Sequence, residues 1–263
     1  MGALLTDRIL ARKEGAIGWL VFNNPERRNA VSLEMWQAIA AVLDDFSGDG
    51  SVRAVVLTGA GDKAFASGAD ISQFEKHRAT AEDVQRYDQT SGAAMQRLKG
   101  LDKPTIAMIR GYCIGGGLNI AAACDLRLAA EDARFGIPAA KMGLGYKADA
   151  MKALVDLVGA AFAREIMITA RQFSAAEALG MGLVHKVVRV DELEGATRQY
   201  CDMIAANAPL TVRAAKRIIR EVTKGQYDDA ACRAWVKECF DSEDYAEGRR
   251  AFMEKRKPVF RGR

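Results

Sequence analysis

The chain has 263 residues, 49% hydrophobic and 27% charged, which is long enough to bury a substantial core and ordinary for a globular protein. Its 38 Lys and Arg are interleaved with 34 Asp and Glu, and a formal charge of +4 on this length implies no nucleic-acid partner. No apolar run reaches membrane-spanning length, MGALLTDRILARKEG lacks a signal-peptide core, and the five cysteines form no CxxC pair. The expectation is a cytoplasmic protein without a membrane contact, a disulfide framework or a metal site.

In chain order, residues 8–12 and 16–22 carry β-rich arms joined at Glu14-Gly15 and predict a hairpin. Ser32 stands as N-cap of SLEMWQAIAAVLDDF, whose apolar residues recur at helical spacing. VRAVVLTGAG reads as a buried strand ending in a glycine turn, residues 80–99 as a polar helix, and Pro104 introduces the strand TIAMI. DLRLAA and ARFGI are two further short strands. Beyond them strand signals nearly vanish: ALVDLVG, AFAREIMITA and SAAEALGMG read as helical, LVHKVV interrupts, and long helices run through 191–254. The sequence divides into an α/β front, residues 1–190, and a helical region, 191–263.

Two glycine-bearing segments invite a chemical interpretation. TGAGDKA at 58–64 fits a dinucleotide fingerprint, but no helix begins where that motif requires one. Gly115 to Gly117 in IRGYCIGGGLNIAAACDLRL lack the Lys-Ser/Thr of a phosphate loop and open a small-residue helix. A helix start offers unpaired N–H groups and the positive end of a dipole. Glycines there permit either tight helix–strand packing or close approach of a developing oxyanion. KAFASGADI at 63–71 puts a second glycine-relieved loop after a buried strand. Two such loops, each giving one N–H, suit a carbonyl oxygen that becomes charged.

These segments resemble the crotonase superfamily, the enoyl-CoA hydratase/isomerase enzymes, and the resemblance covers essentially the whole chain. NNPERRNAVSLEM, KAFASGADIS, GYCIGGGLNIAAACDLRLAA, ARFGIPAAKMGLG, RQFSAAEALGMGLVHKVV and EGRRAFMEKRKPVF follow in family order. The resemblance implies an α/β fold, a spiral of ββα repeats, with a helical C-terminal trimerisation region forming a homotrimer or a dimer of trimers. It implies an acyl-CoA thioester substrate, with coenzyme A part of the substrate and no cofactor held permanently. The oxyanion donors would be the N–H groups of Ala69 and Gly116. Arg27, Arg28, Ala30, Ser67, Asp70, Ile71 and Ser72 fall in segments that lie along the family's CoA. Lys255 and Phe260 match a C-terminal stretch that reaches CoA phosphates or adenine, so the basic EKRKPVFRGR is either a solvated tail or a phosphate contact.

The pattern then departs from the family. Where its hydratases carry two glutamates this chain has Asn119 and Ala139, neither of which takes a proton at neutral pH. Adding water to a double bond requires a base for the water and a proton for the α-carbon. Asp149, near a helix start in GLGYKADAMKALVDLVG, serves either as an N-cap or as a single base. Tyr146 and Lys147 could donate hydrogen bonds to an acyl group, and Asn119 could hold a water or a carboxylate. His77 is expected at the surface, His185 in a structural strand, Asp125 as a structural partner of backbone or arginine, and Cys113 and Cys124 in the core. The leading expectation is an enoyl-CoA hydratase/isomerase-type enzyme. A decarboxylase, isomerase, thioesterase or non-catalytic acyl-CoA binder of the same fold stays open.

Overall fold

The computed structural model describes residues 6–69 and 80–263. Strands β1 (Ile9–Glu14) and β2 (Ile17–Phe22) form the expected antiparallel hairpin, Ile9 opposite Phe22 and Glu14 opposite Ile17. Helix α1 (Leu33–Gly48) starts at Ser32, whose Oγ accepts the Met35 N–H at 3.3 Å. Its buried Met35, Ile39, Val42, Leu43 and Phe46 make one apolar stripe. The chain continues through β3 (Ala54–Gly59), β4 (Ala64–Ala66) and α2 (Ala81–Gly100). Next come β5 (Thr105–Ile109), β6 (Tyr112–Ile114), α3 (Gly116–Ala123), β7 (Leu126–Ala130), β8 (Arg134–Gly136) and α4 (Ala148–Thr169). It ends with β9 (Phe173–Ser174), α5 (Ala175–Gly180), β10 (Lys186–Val188), α6 (Leu193–Ala205), α7 (Pro209–Val222), α8 (Asp229–Phe240) and α9 (Glu243–Met253).

The strand orders expose a repeat. One sheet runs β1-β2-β3-β5-β7-β10 and the other β4-β6-β8-β9. Each of β3, β5 and β7 is followed by a strand of the smaller sheet and then by a helix, so the chain coils from large sheet to small sheet to helix. The first coil has the same form: β2 joins the large sheet, Val31 bridges Ala69 in parallel, and α1 follows. This is the expected spiral of ββα units. KAFASGADI is not all loop, because Ala64–Ala66 is a strand of the small sheet, paired with β6.

Strand periodicity sorts side chains between two cores. Phe22, Val55, Leu57, Phe65 and Phe135 join the core shared with α1. Trp19, Val56, Ile106 and Leu128 face Leu193, Ala196 and Cys201 of α6. Polar ties bind α7 to the spiral: Lys216 Nζ to Asp125 at 2.6 Å, Arg217 to Asp102, and Arg220 to the Lys99 carbonyl at 3.0 Å. Asp125 also accepts the Thr105 N–H at 2.7 Å and the Thr105 hydroxyl at 2.9 Å, so its partners are backbone, a threonine and a lysine rather than an arginine. Cys113 and Cys124 are buried, as expected. ALVDLVG and AFAREIMITA lie in one helix, α4, broken at Gly159, whose φ of +72° is not helical.

Candidate active site

The site begins with NNPERRNA. Its backbone turns through left-handed conformations at Arg28 (φ +51°) and Asn29 (φ +56°). The fully buried Asn29 side chain secures the turn, accepting the Asn24 N–H at 2.9 Å and donating to the carbonyls of Ala60 (3.0 Å) and Ala64 (2.7 Å). Asn24 in turn donates to the Ala30 carbonyl at 3.1 Å. The exposed Arg28 guanidinium lies 4.8 Å from the centre of the Tyr112 ring, and Ala30 is buried. Ser67 Oγ donates to the Arg27 carbonyl at 3.2 Å, and the Val31 N–H donates to the Gly68 carbonyl at 2.8 Å. The first coil thereby fixes the segment that presents Ala69.

The three consecutive glycines meet three different demands. Gly115 needs its left-handed φ of +57° to turn from β6 into α3. Gly117 has no room for a side chain, since a Cβ would overlap the Ala66 carbonyl of β4. Gly116 has neither constraint. Its Cβ would make only ordinary contact with the protein, 3.4 Å from Gly68 Cα and 3.7 Å from Ala69 N. The space at Gly116 thus borders the Ala69 amide. Among the described residues, neither the Ala69 nor the Gly116 N–H has an acceptor, and the latter is the first orphan donor of α3. Two amides without acceptors therefore belong to adjacent coils, and the Cβ position of Gly116 lies 3.7 Å from the Ala69 nitrogen.

One turn into α3 stands Asn119, half-buried, its N–H donating to the Gly115 carbonyl at 3.1 Å. Tyr146 approaches from the segment before α4 and packs its ring on the main core. Its Oη is buried and completes no hydrogen bond among the described residues. Burial pushes the phenol pKa up to about 12, and the nearby Asn119 side chain opposes that rise. The hydroxyl therefore keeps its proton at neutral pH. Ala139 is buried in the turn Pro138–Met142 and brings no carboxylate.

The other expected residues are placed as follows. Lys147 occupies the N-cap position of α4 without capping it, and its exposed Nζ pairs with Asp88 of α2 at 2.8 Å. Asp149 is therefore not the N-cap; it is an exposed residue of the first turn, without a polar partner among the described residues. His185 Nδ1 accepts the Arg127 N–H at 3.2 Å, and burial lowers its pKa. Lys255 (φ +52°) is exposed just past α9, whereas Phe260 folds back on Gly248 and lines a groove between α7, α8 and α9. Asp70, Ile71, Ser72 and His77 lie outside the described residues.

Arg127 is a contributor that the sequence analysis passed over. Its buried guanidinium donates to the carbonyls of Cys124 (2.6 Å), Ala121 (3.3 Å) and Leu183 (2.8 Å), holding the C-terminal end of α3. A lone charge among the apolar residues of LRLAA was the available signal.

With this geometry, the family model described as enoyl-CoA hydratase/isomerase matches residues 12–263. The chain belongs to that family. It is 35% identical over 253 residues to the short-chain-enoyl-CoA hydratase of Clostridium acetobutylicum, covering 95% of this chain and 96% of that one. It is 33% identical over 264 residues to the crotonyl-CoA hydratase of Syntrophomonas wolfei, covering 97% and 98%. Among solved structures, an enoyl-CoA hydratase/carnithine racemase from Magnetospirillum magneticum superposes with a TM-score of 0.94 at 38% identity, covering 98% of this chain and 97% of that one. The chain is thus an enzyme of hydratase/isomerase type, built on the crotonase fold.

Proposed function

We propose that the enzyme places the carbonyl oxygen of an acyl-CoA thioester between the Ala69 and Gly116 amides, stabilises the enolate formed there, and does not use two-glutamate hydration. The observation carrying this reading is the pair of unpaired amides bordering Gly116, a glycine that neither backbone strain nor the chain's own packing requires. As electrons move onto the oxygen, both N–H groups strengthen their hydrogen bonds, each worth about 3 kcal/mol in the transition state. Asn119 and Ala139 supply neither the base nor the acid of water addition. Decarboxylation of a malonyl-type acyl group balances without a base: the C2–C3 bond breaks, its electron pair enters the enolate, carbon dioxide leaves, and C2 later takes a proton.

Arg27, Arg28, Ala30 and Ser67 form the rim along which CoA would lie, and Ser67 joins the two segments through the Arg27 carbonyl. CoA enters as part of the substrate. Lys255 and Phe260 lie in the segment after α9, where a homotrimer would bring them to a neighbour's CoA. A cytoplasmic location agrees with five free thiols, four of them buried. Among the described residues, no helix is long and apolar enough to cross a membrane.

Incubation with crotonyl-, 3-enoyl-, methylmalonyl- and 3-hydroxyacyl-CoA, followed by mass spectrometry and chromatography, tests the reading. Loss of carbon dioxide, or a shifted double bond at unchanged mass, is the expected kind of outcome; release of free CoA would mean a tetrahedral oxyanion in place of the enolate. Rapid gain of water by crotonyl-CoA would contradict it. If all four thioesters bind and none changes, a binding role replaces catalysis.

A further inference from the structure

A second cavity, of about 280 Å³, is lined by residues just before β3 and β5, by the start of α7 and by the C-terminal tail. Strands β3 and β5 are parallel, and Ala69 and Gly116 follow their far ends, so this cavity and the thioester site stand at opposite ends of the same strands. Four cations from four separate segments border it, Arg53, Lys103, Arg213 and Arg261, against a single acid, Asp102. That acid is already taken, because both its oxygens accept from Arg217. Arg213 has a carboxylate of its own, Glu238 at 2.5 Å. The other three cations have none. Lys103 donates to the Phe46 and Asp49 carbonyls, and the half-buried Arg53 donates once, to the Asn207 carbonyl at 2.8 Å. Among the described residues the Arg261 guanidinium has no acceptor, although its backbone is pinned. The buried Asp244 carboxylate accepts the Arg261 and Gly262 N–H groups at 2.7 Å each, which fixes the tail against the cavity.

Burial lowers the pKa of both Arg53 and Lys103, since each gives up water without gaining a carboxylate at hydrogen-bonding distance. Positive charge that is half-buried and not neutralised costs folding free energy, and a bound anion removes that cost. Two arginine forks and a lysine point charge arriving from different sides suit a tetrahedral oxyanion better than a flat monocarboxylate. We propose that this cavity binds a phosphate group, either the free ion or the end of a small phosphomonoester, held by Arg53, Lys103 and Arg261. The site is independent of the thioester placement. Its occupant would also tie the C-terminal tail to the spiral, because Arg261 belongs to the first and Arg53 and Lys103 to the second.

The test titrates inorganic phosphate, adenosine monophosphate and acetate into the full chain at matched pH and ionic strength, by calorimetry and by thermal midpoint. Phosphate or the nucleotide is expected to bind and to raise the midpoint, and acetate to do neither. Tighter binding of the nucleotide identifies an ester as the occupant, and tighter binding of phosphate the free ion. Arg261→Gln removes an exposed guanidinium that no protein group accepts, so the midpoint without ligand should not move. Affinity for the preferred phosphate species should nevertheless fall roughly tenfold, the order that one charge-assisted hydrogen bond supplies. Arg53→Gln should weaken it at least as much. The site is refuted if acetate matches phosphate, if either variant binds the phosphate species as wild type does, or if neither phosphate species binds.

Discussion

Replacing Gly116 by proline deletes one amide proton at a place where proline fits, the first position of a helix. The variant should fold, and turnover of whichever thioester the enzyme consumes should fall on the order of a hundredfold or more. Full turnover, with an unchanged circular dichroism spectrum, would contradict the role given to that amide. Gly117→Ala should behave oppositely. Its Cβ would overlap the Ala66 carbonyl, so the loss should appear first in the thermal midpoint, by about 1–3 kcal/mol of overpacking. Measuring both quantities for both variants separates a glycine kept for a ligand from a glycine kept for a strand. Tyr146 adds the complementary case, a large side chain whose ring serves the core and whose tip does not.

Helix α3 is fixed at both ends by unlike means. At its start the backbone turns on Gly115, and at its end the Arg127 guanidinium donates to the Ala121 and Cys124 carbonyls and to that of Leu183. Positive charge there also matches the helix dipole. Arg127→Met, of similar length and apolar, takes the guanidinium donors away from the Cys124 and Leu183 carbonyls, while the Ala121 carbonyl keeps the Cys124 N–H at 3.2 Å. It should cost about 3 kcal/mol in denaturant unfolding. An unaltered midpoint would mean that the carbonyls find other donors. The elements easiest to see in the sequence were those with room for a pattern: α1 with its Ser32 cap, the hairpin, and the apolar runs of β3 and β5. Of the small sheet only β8 was legible, in ARFGI, because β4 and β6 have three residues each and β9 has two, too short to show alternation. The glycine segments of the site were legible because close backbone approach is written locally. The meeting of Asn119 and Tyr146 was not, since it depends on how α3 packs against α4. Of the two roles the sequence left open for Asp149, capping falls away because the helix starts two residues earlier than a cap at that position requires.

Viewed as a whole, the molecule has its polar surface interrupted at the last three helices. Ile219 is 63% exposed, Phe240 58%, Phe252 82% and Met253 81%. Between α7, α8 and α9 lies an apolar groove of about 920 Å³, lined in part by Phe240, Phe252 and Phe260. So much apolar surface on the outside favours association, and the trimer proposed above would cover it. Phe252→Glu puts a charge into that contact and should shift the sedimentation coefficient toward a single chain without altering the circular dichroism. An unshifted coefficient would place the subunit contact elsewhere.

The bridge between Val31 and Ala69, with Gly116 beside it, carries a consequence for how such a protein can diversify. The gap between the two amides is a property of the winding, set by main-chain pairing between successive coils and insensitive to side-chain identity at 119, 139 or 146. On the thioester placement proposed above, exchanging those three residues redirects the chemistry while the grip stays the same, so a new reaction does not require a new scaffold.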